Sequence, residues 1–336
     1  MEKYEIHNEN NISISVTNFG LRIMSLKVPN NRGVLVDVVL GFDDLDDYHK
    51  KEGQYFGSII GQYANRIEGG QFSIHKNRYQ LEKNEGNNHI HGGSKGYHTV
   101  IWKLIEASIG KLKFYHFFED NTNGYPGNTH VFVTYSITND DEFIIEYEVT
   151  SDKDTIINVT NHSYFNLKGE GNGDVLDHLI TIHSDFYLQT NKDLIPEEIK
   201  LVENTPLDLR LATRIGNPSA FEHPELKNSK GFDHCYVLKK QHNDELVHAA
   251  TLEEISGGII MKVYTTEPGM QFYTGNFLNG SLTGKSGYNY HEYAGVCLET
   301  QRYPNSPNRS DFPTSVLKSN TRFTSKTIYQ FSTKNN

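Results

Sequence analysis

At 336 residues, with 36% hydrophobic and 12% aromatic side chains, the chain has ample material for one large domain or two ordinary ones. Its formal net charge of −10 argues against a nucleic-acid or membrane-surface partner, which would need a basic face. The opening "MEKYEIHNEN" lacks the apolar core of a signal peptide, and no apolar run approaches the ~20 residues of a membrane helix. Cys235 and Cys297 are too few for a disulfide framework, so a cytoplasmic protein that takes a small neutral or cationic molecule is expected.

Alternation dominates the chain. "KLKFYHFF" and "HVFVTYSIT" repeat with a period of two, the second placing Val131, Val133, Tyr135 and Ile137 on one face. In "EFIIEYEVT", Phe143, Ile145, Tyr147 and Val149 share a face opposite Ile144, Glu146, Glu148 and Thr150. "IIMKVYTT" follows a Ser256–Gly258 hairpin signal, and turn clusters such as "NNRG", "NTNG" and "YPNSPN" fall between the runs. Helical signals are confined to short pieces, "DDLDDYH" and "FEHPELKN". With no linker, repeat or composition shift, residues 1–336 read as a single all-β domain, a large antiparallel sandwich.

Six segments carry chemically apt residues. "YFGSIIGQYANRIEGGQF" sets Asn65-Arg66 among glycines, where a guanidinium fork can meet hydroxyl or carboxylate oxygens; no phosphate-loop spacing accompanies it. "NNHIHGG" puts His89 and His91 on one face if extended. That spacing suits a metal with a third ligand such as His162, but a single histidine facing a site is the better expectation, with Gly92-Gly93 allowing close approach to a ligand. "NVTNHSYFNLKG" places His162 in a row of amides and aromatics. "GFDHCYVL" offers Asp233 just before a strand. "MQFYTGNFL" offers Gln271, with Phe272 or Tyr273 as an apolar wall.

The last segment, "AGVCLETQRYPNSPN", embeds Glu299 in a strand-like run where a charge is hard to accommodate; Cys297, Glu299 and Gln301 share its face. Each residue taken singly has an ordinary structural explanation. Together they supply a histidine and a carboxylate without any cofactor motif, which is an acid/base pair.

In these motifs, ordered from "VTNFGLRIMSLKVPN" and "DVVLGFDDLDDY" to "GVCLETQRYPNSPN", the chain resembles the aldose 1-epimerases over nearly its whole length. The resemblance implies a β-supersandwich of two large sheets and a cofactor-free, metal-free isomerase that interconverts α and β anomers of free aldoses. By motif match it implies Glu299 as general base and His162 as general acid. Asn65, Arg66, His91, Asp233 and Gln271 become the residues that hold a monosaccharide. Gln62 stands where the family commonly has Arg, and residues 94–98 also depart from its usual wording.

Two related readings are an epimerase of hexose 6-phosphates, which would want Arg302 or Arg309 at the pocket rim, and a non-catalytic sugar-binding module, which would have no use for both Glu299 and His162. A protonated His162 beside a neutral sugar would need a negative neighbour, Asp233 or Glu299. The proximity in sequence of Cys235 to Asp233 and of Cys297 to Glu299 suggests thiols at the site, hence sensitivity to oxidants. The oligomeric state is not readable.

Overall fold

The computed structural model describes residues 1–50, 55–242 and 244–334, and its framework is β-sheet. Nine strands form the largest sheet, in the spatial order Lys103–Ser108, Lys111–Phe118, Thr129–Ile137, Glu142–Ser151, Arg322–Thr333, Ile259–Thr265, Val247–Glu253, Leu179–Ile182 and Thr213–Arg214. Every neighbouring pair is antiparallel. The period-two pattern is obeyed: Phe143, Ile145, Tyr147 and Val149 are buried, while Ile144, Glu146, Glu148 and Thr150 are only half-buried.

Glu254 stabilises the hairpin before Ile259 by accepting hydrogen bonds from the Ser256 amide and hydroxyl and from the Gly257 amide. The short helices fall where expected, at Leu45–Lys50 and at Pro218–Phe221 with Pro224–Asn228. Among the described residues no helix is long and apolar enough to cross a membrane.

A four-stranded sheet near the N-terminus contributes Ile6, Ile14, Val16, Ile23, Leu26 and Val28 to the same apolar core as the large sheet. A five-stranded sheet matters most for function. Its strands run Pro196–Leu201, Phe186–Thr190, Asp233–Val237, Gly269–Tyr273 and Cys297–Gln301 in spatial order. Residues paired across strands share a face, and the face switches at each successive residue. Tyr236, Met270, Phe272 and Leu298 therefore join the core. The opposite face carries Asp233 beside Tyr273 and Cys297, and Cys235 beside Gln271 and Glu299. One register thus separates the packing residues from the chemical ones.

The amides of "NVTNHSYFN" staple loops to that sheet. Asn158 Nδ2 donates to Ala64 O (3.0 Å) and Arg302 O (3.2 Å), while its Oδ1 accepts from Arg302 N (2.8 Å). Asn161 Nδ2 donates to Gly57 O at 2.8 Å, and Asn166 Nδ2 to Ala294 O at 3.0 Å. Buried main-chain groups in such crossings need partners, and a short amide supplies a donor and an acceptor together. Replacing the fully buried Asn158 by Ala removes three of these bonds. The expected cost is about 2–4 kcal/mol, read as a lower urea midpoint with unchanged slope.

Candidate active site

Asn65, Arg66, His91, His162, Asp233 and Glu299 line one cavity of about 240 Å³, together with Tyr55, Glu85, Ile90, Tyr164, Tyr273, Phe277 and Leu278. This lies below the ~300 Å³ at which pockets for drug-sized ligands begin, so it fits a single small ring. Within this lining, His162 Nε2 and Glu299 Oε1 are 3.8 Å apart with both side chains almost fully buried. Glu299 comes from the strand Cys297–Gln301. His162 follows the two-residue strand Thr160–Asn161, and its main chain bonds to Ser58 O (2.9 Å) and Gly57 N (3.0 Å). The imidazole stacks between Tyr164 (5.0 Å between centroids) and Tyr55 (5.6 Å).

Burial dominates the electrostatics of this pair. It pushes the Glu299 carboxyl well above the usual carboxylate range, with Asp233 adding to the rise and Arg66 opposing it. Burial also pushes His162 down to about 4. The expectation that Asp233 or Glu299 holds His162 as an imidazolium is corrected for the resting site, where removal of the ring from water lowers its proton affinity. Glu299 Oε2 has no hydrogen-bond partner among the described residues, so an acceptor is left for a ligand hydroxyl.

The remaining polar groups are held in place by their neighbours. Arg66 gives Nε (2.7 Å) and Nη2 (2.6 Å) to the two oxygens of Glu85. Burial opposes the Arg66 charge, but Glu85, Asp233 and Glu299 together hold the guanidinium above its ordinary value. Asn65, in the left-handed region at φ 61°, accepts from Arg66 N through its side chain and donates its own amide to His91 Nδ1 at 3.2 Å. That contact puts the His91 ring proton on Nε2. Burial, reinforced by His162 and Arg66, lowers His91 well below its ordinary value and keeps it neutral. Asp233 Oδ1 accepts from Gln271 Nε2 at 2.6 Å.

The sequence-level assignments converge with some reassignment. Gln271 does not line the cavity, and its Nε2 is spent on the Asp233 carboxylate that does. His89 is turned away: its Nδ1 meets Glu82 O (2.6 Å) and its Nε2 meets the Tyr125 hydroxyl (2.6 Å). The His89–His91–His162 metal triad is therefore not assembled. A Cβ on Gly92, at φ +81°, would lie 1.8 Å from Gly61 O, so the close approach that requires glycine is to this chain's own backbone and not to a ligand. Gln62 donates to Thr155 Oγ1 (2.8 Å) and Ile156 O (2.9 Å) and stays out of the cavity lining. Tyr273 walls the cavity while Phe272 enters the core.

Tyr55, Glu85 and Phe277 also line the cavity, although nothing in their local sequence marks Tyr55 or Phe277. The one available signal was for Glu85, an acidic residue two positions before "NNHIHGG", where a buried arginine needs a counter-charge. Arg302 and Arg309 point elsewhere, the first to Thr314 O and the Phe323 ring, the second to Asp311 and the Pro196 and Glu197 carbonyls. Neither lines the cavity.

Comparison with known proteins places these features in one context. The family profile described as aldose 1-epimerase matches residues 2–330. Galactose mutarotase of Mus musculus is 38% identical over 333 residues, covering 99% of this chain and 94% of that protein. Among solved structures, the aldose epimerase homologue from C. elegans superimposes with a TM-score of 0.89 at 25% identity, covering 99% of both chains. Galactose 1-epimerase from Lactobacillus acidophilus gives 0.83 at 25% identity, again over 99% of both chains.

Cys235 and Cys297 are both buried, and burial pushes both thiols up from their ordinary range. Neither lines the cavity, but Cys297 Sγ lies 3.4 Å from His162 Nδ1, so one thiol stands beside the site as expected, while burial opposes attack on either. Iodoacetamide at pH 8 should leave both unmodified in the native protein and alkylate both in urea, as read by intact mass.

Proposed function

The chain belongs to the aldose 1-epimerase family, and from that membership we propose which residues carry its reaction. The enzyme is an isomerase that interconverts the α and β anomers of free aldoses such as galactose and glucose. One observation carries the assignment: Glu299 and His162 meet at 3.8 Å on the wall of a cavity sized for one sugar ring. We take residues 1–336 as one aldose 1-epimerase domain; an apolar core that draws on residues from Ile6 to Phe331 supports this.

The chemistry fits two adjacent groups. The anomeric hydroxyl and the ring oxygen are bonded to the same carbon, so a base for one and an acid for the other must be neighbours. Once the pair's proton has shifted from Glu299 to His162, the carboxylate removes the O1 proton while the imidazolium protonates O5, and the C1–O5 bond breaks to leave the aldehyde. Rotation about C1–C2 presents the other carbonyl face. His162, now neutral, takes the O5 proton back as O5 attacks C1, and Glu299 returns its proton to O1. The pair carries one mobile proton throughout.

The opposed shifts, Glu299 upward and His162 downward, reverse the ordinary order of the two proton affinities, so the pair's one proton rests on Glu299 and must pass to His162 before ring opening. Arg66, His91 Nε2–H and Asp233 are the groups for the other hydroxyls. Arg66 and Asp233 are set by Glu85 and Gln271, and His91 by the Asn65 amide. Among the described residues Arg302 and Arg309 are directed away and the cavity-lining Arg66 is paired with Glu85, which supports a free sugar over a phosphorylated one.

Polarimetry of freshly dissolved α-D-galactose, with a chelator present, tests the reading. The wild type should speed relaxation to the unchanged final rotation. Glu299→Gln and His162→Asn should each lose about 10²–10⁴-fold in kcat while remaining folded. A folded Glu299→Gln enzyme of undiminished rate would sink the assignment.

The pH profile has a definite sign. Below about 4, His162 gains a second proton while Glu299 is still protonated, so no base remains and kcat/KM falls. Above the raised Glu299 pKa the pair loses its one proton, no acid remains, and the rate falls again. The expected curve is a bell whose acid limb lies near 4 and whose alkaline limb lies well above the carboxylate range, both limbs belonging to the pair.

A further inference from the structure

The two nitrogens of His162 have different neighbours. Nε2 faces Glu299 Oε1 at 3.8 Å, while Nδ1 faces Cys297 Sγ at 3.4 Å. Building on the reading of His162 as the acid, we propose that Cys297 is its positioning residue, whose sulfur accepts the Nδ1–H bond and so reserves Nε2 for exchange with the sugar.

The proton inventory requires such an arrangement. His162 alternates between an imidazolium, protonated on both nitrogens, and a neutral ring that must recover a proton from O5. Recovery needs a lone pair on the nitrogen at the cavity. The proton that stays behind therefore belongs on Nδ1, where Cys297 Sγ is in reach. A neutral ring protonated at Nε2 would have its lone pair turned toward the sulfur, and ring closure would lack its base.

Stacking by Tyr164 and Tyr55 fixes the plane of the imidazole but does not distinguish its two nitrogens. The strand Cys297–Gln301 does. Cys297 and Glu299 lie two residues apart on one face, so a single strand presents a partner to each nitrogen.

Sulfur also suits the task in its charge. Burial, then Glu299 and Asp233, push the Cys297 thiol well above its ordinary range, so it stays neutral. A carboxylate at this place would hold the imidazolium and weaken it as an acid toward a poorly basic ring oxygen. A thiol orients the ring as a weak acceptor and leaves its acid strength to burial. Cys297 is fully buried and outside the cavity lining, so it reaches the reaction only through His162.

Nitrogen-15 spectra of histidine-labelled enzyme at pH 7, with the His162 signals identified by their loss in His162→Asn, test this directly. The wild type should show neutral His162 protonated at Nδ1. Cys297→Ala should mix the two tautomers and lower kcat about tenfold with KM nearly unchanged. Cys297→Ser, whose hydroxyl also accepts, should keep the wild-type tautomer.

Neutral His162 protonated at Nε2 in the wild type would overturn the proposal, and this spectrum decides the matter even if Cys297→Ala fails to fold. A folded Cys297→Ala enzyme with the wild-type tautomer and kcat would overturn it equally. Wild-type kcat in His162→Asn would bring down the acid assignment itself, an outcome the tautomer spectrum distinguishes from failure of the cysteine's role.

Discussion

Placing a carboxyl and an imidazole side by side out of water is the constraint on which the rest of the molecule depends. Each group alone would resist burial in its charged form. Together they can hold one proton between them, and the neutral and ionic forms of the pair then differ by a short proton shift. To keep them at 3.8 Å the protein supplies a strand on one side and a loop tied down by amides on the other. The sheet that carries Glu299 must be apolar on its far face to anchor in the core and polar on its near face to do chemistry.

The fold was largely legible because alternation is a local signal. "EFIIEYEVT" announces its buried face by itself, and the tertiary structure only has to agree. The site was legible for a different reason. Glu299 sits in a strand where a charge is costly, and Asn65, His91 and His162 stand in segments whose composition packing alone does not explain. Such conflicts between local cost and global fold mark functional positions.

What stayed hidden depends on side-chain direction across long separations in sequence. "HIH" does not reveal that His89 is bound on both nitrogens by Glu82 and Tyr125 while His91 turns to the cavity. Gln271 reads like a ligand-binding amide, yet in the register it meets Asp233 first. The protonation of His162 could not be read either, because its proton affinity is set by depth of burial, which belongs to the assembled fold.

The position of Arg322–Thr333 bears on how the protein is made. This strand follows every other described strand in sequence, yet in space it lies between Glu142–Ser151 and Ile259–Thr265, in the interior of the nine-stranded sheet. During synthesis the two halves of that sheet must wait, each with an unpaired edge, until their shared neighbour emerges. Exposed edges are where chains pair wrongly with one another. The order of translation thus leaves the nascent sheet most vulnerable just before Arg322–Thr333 is released.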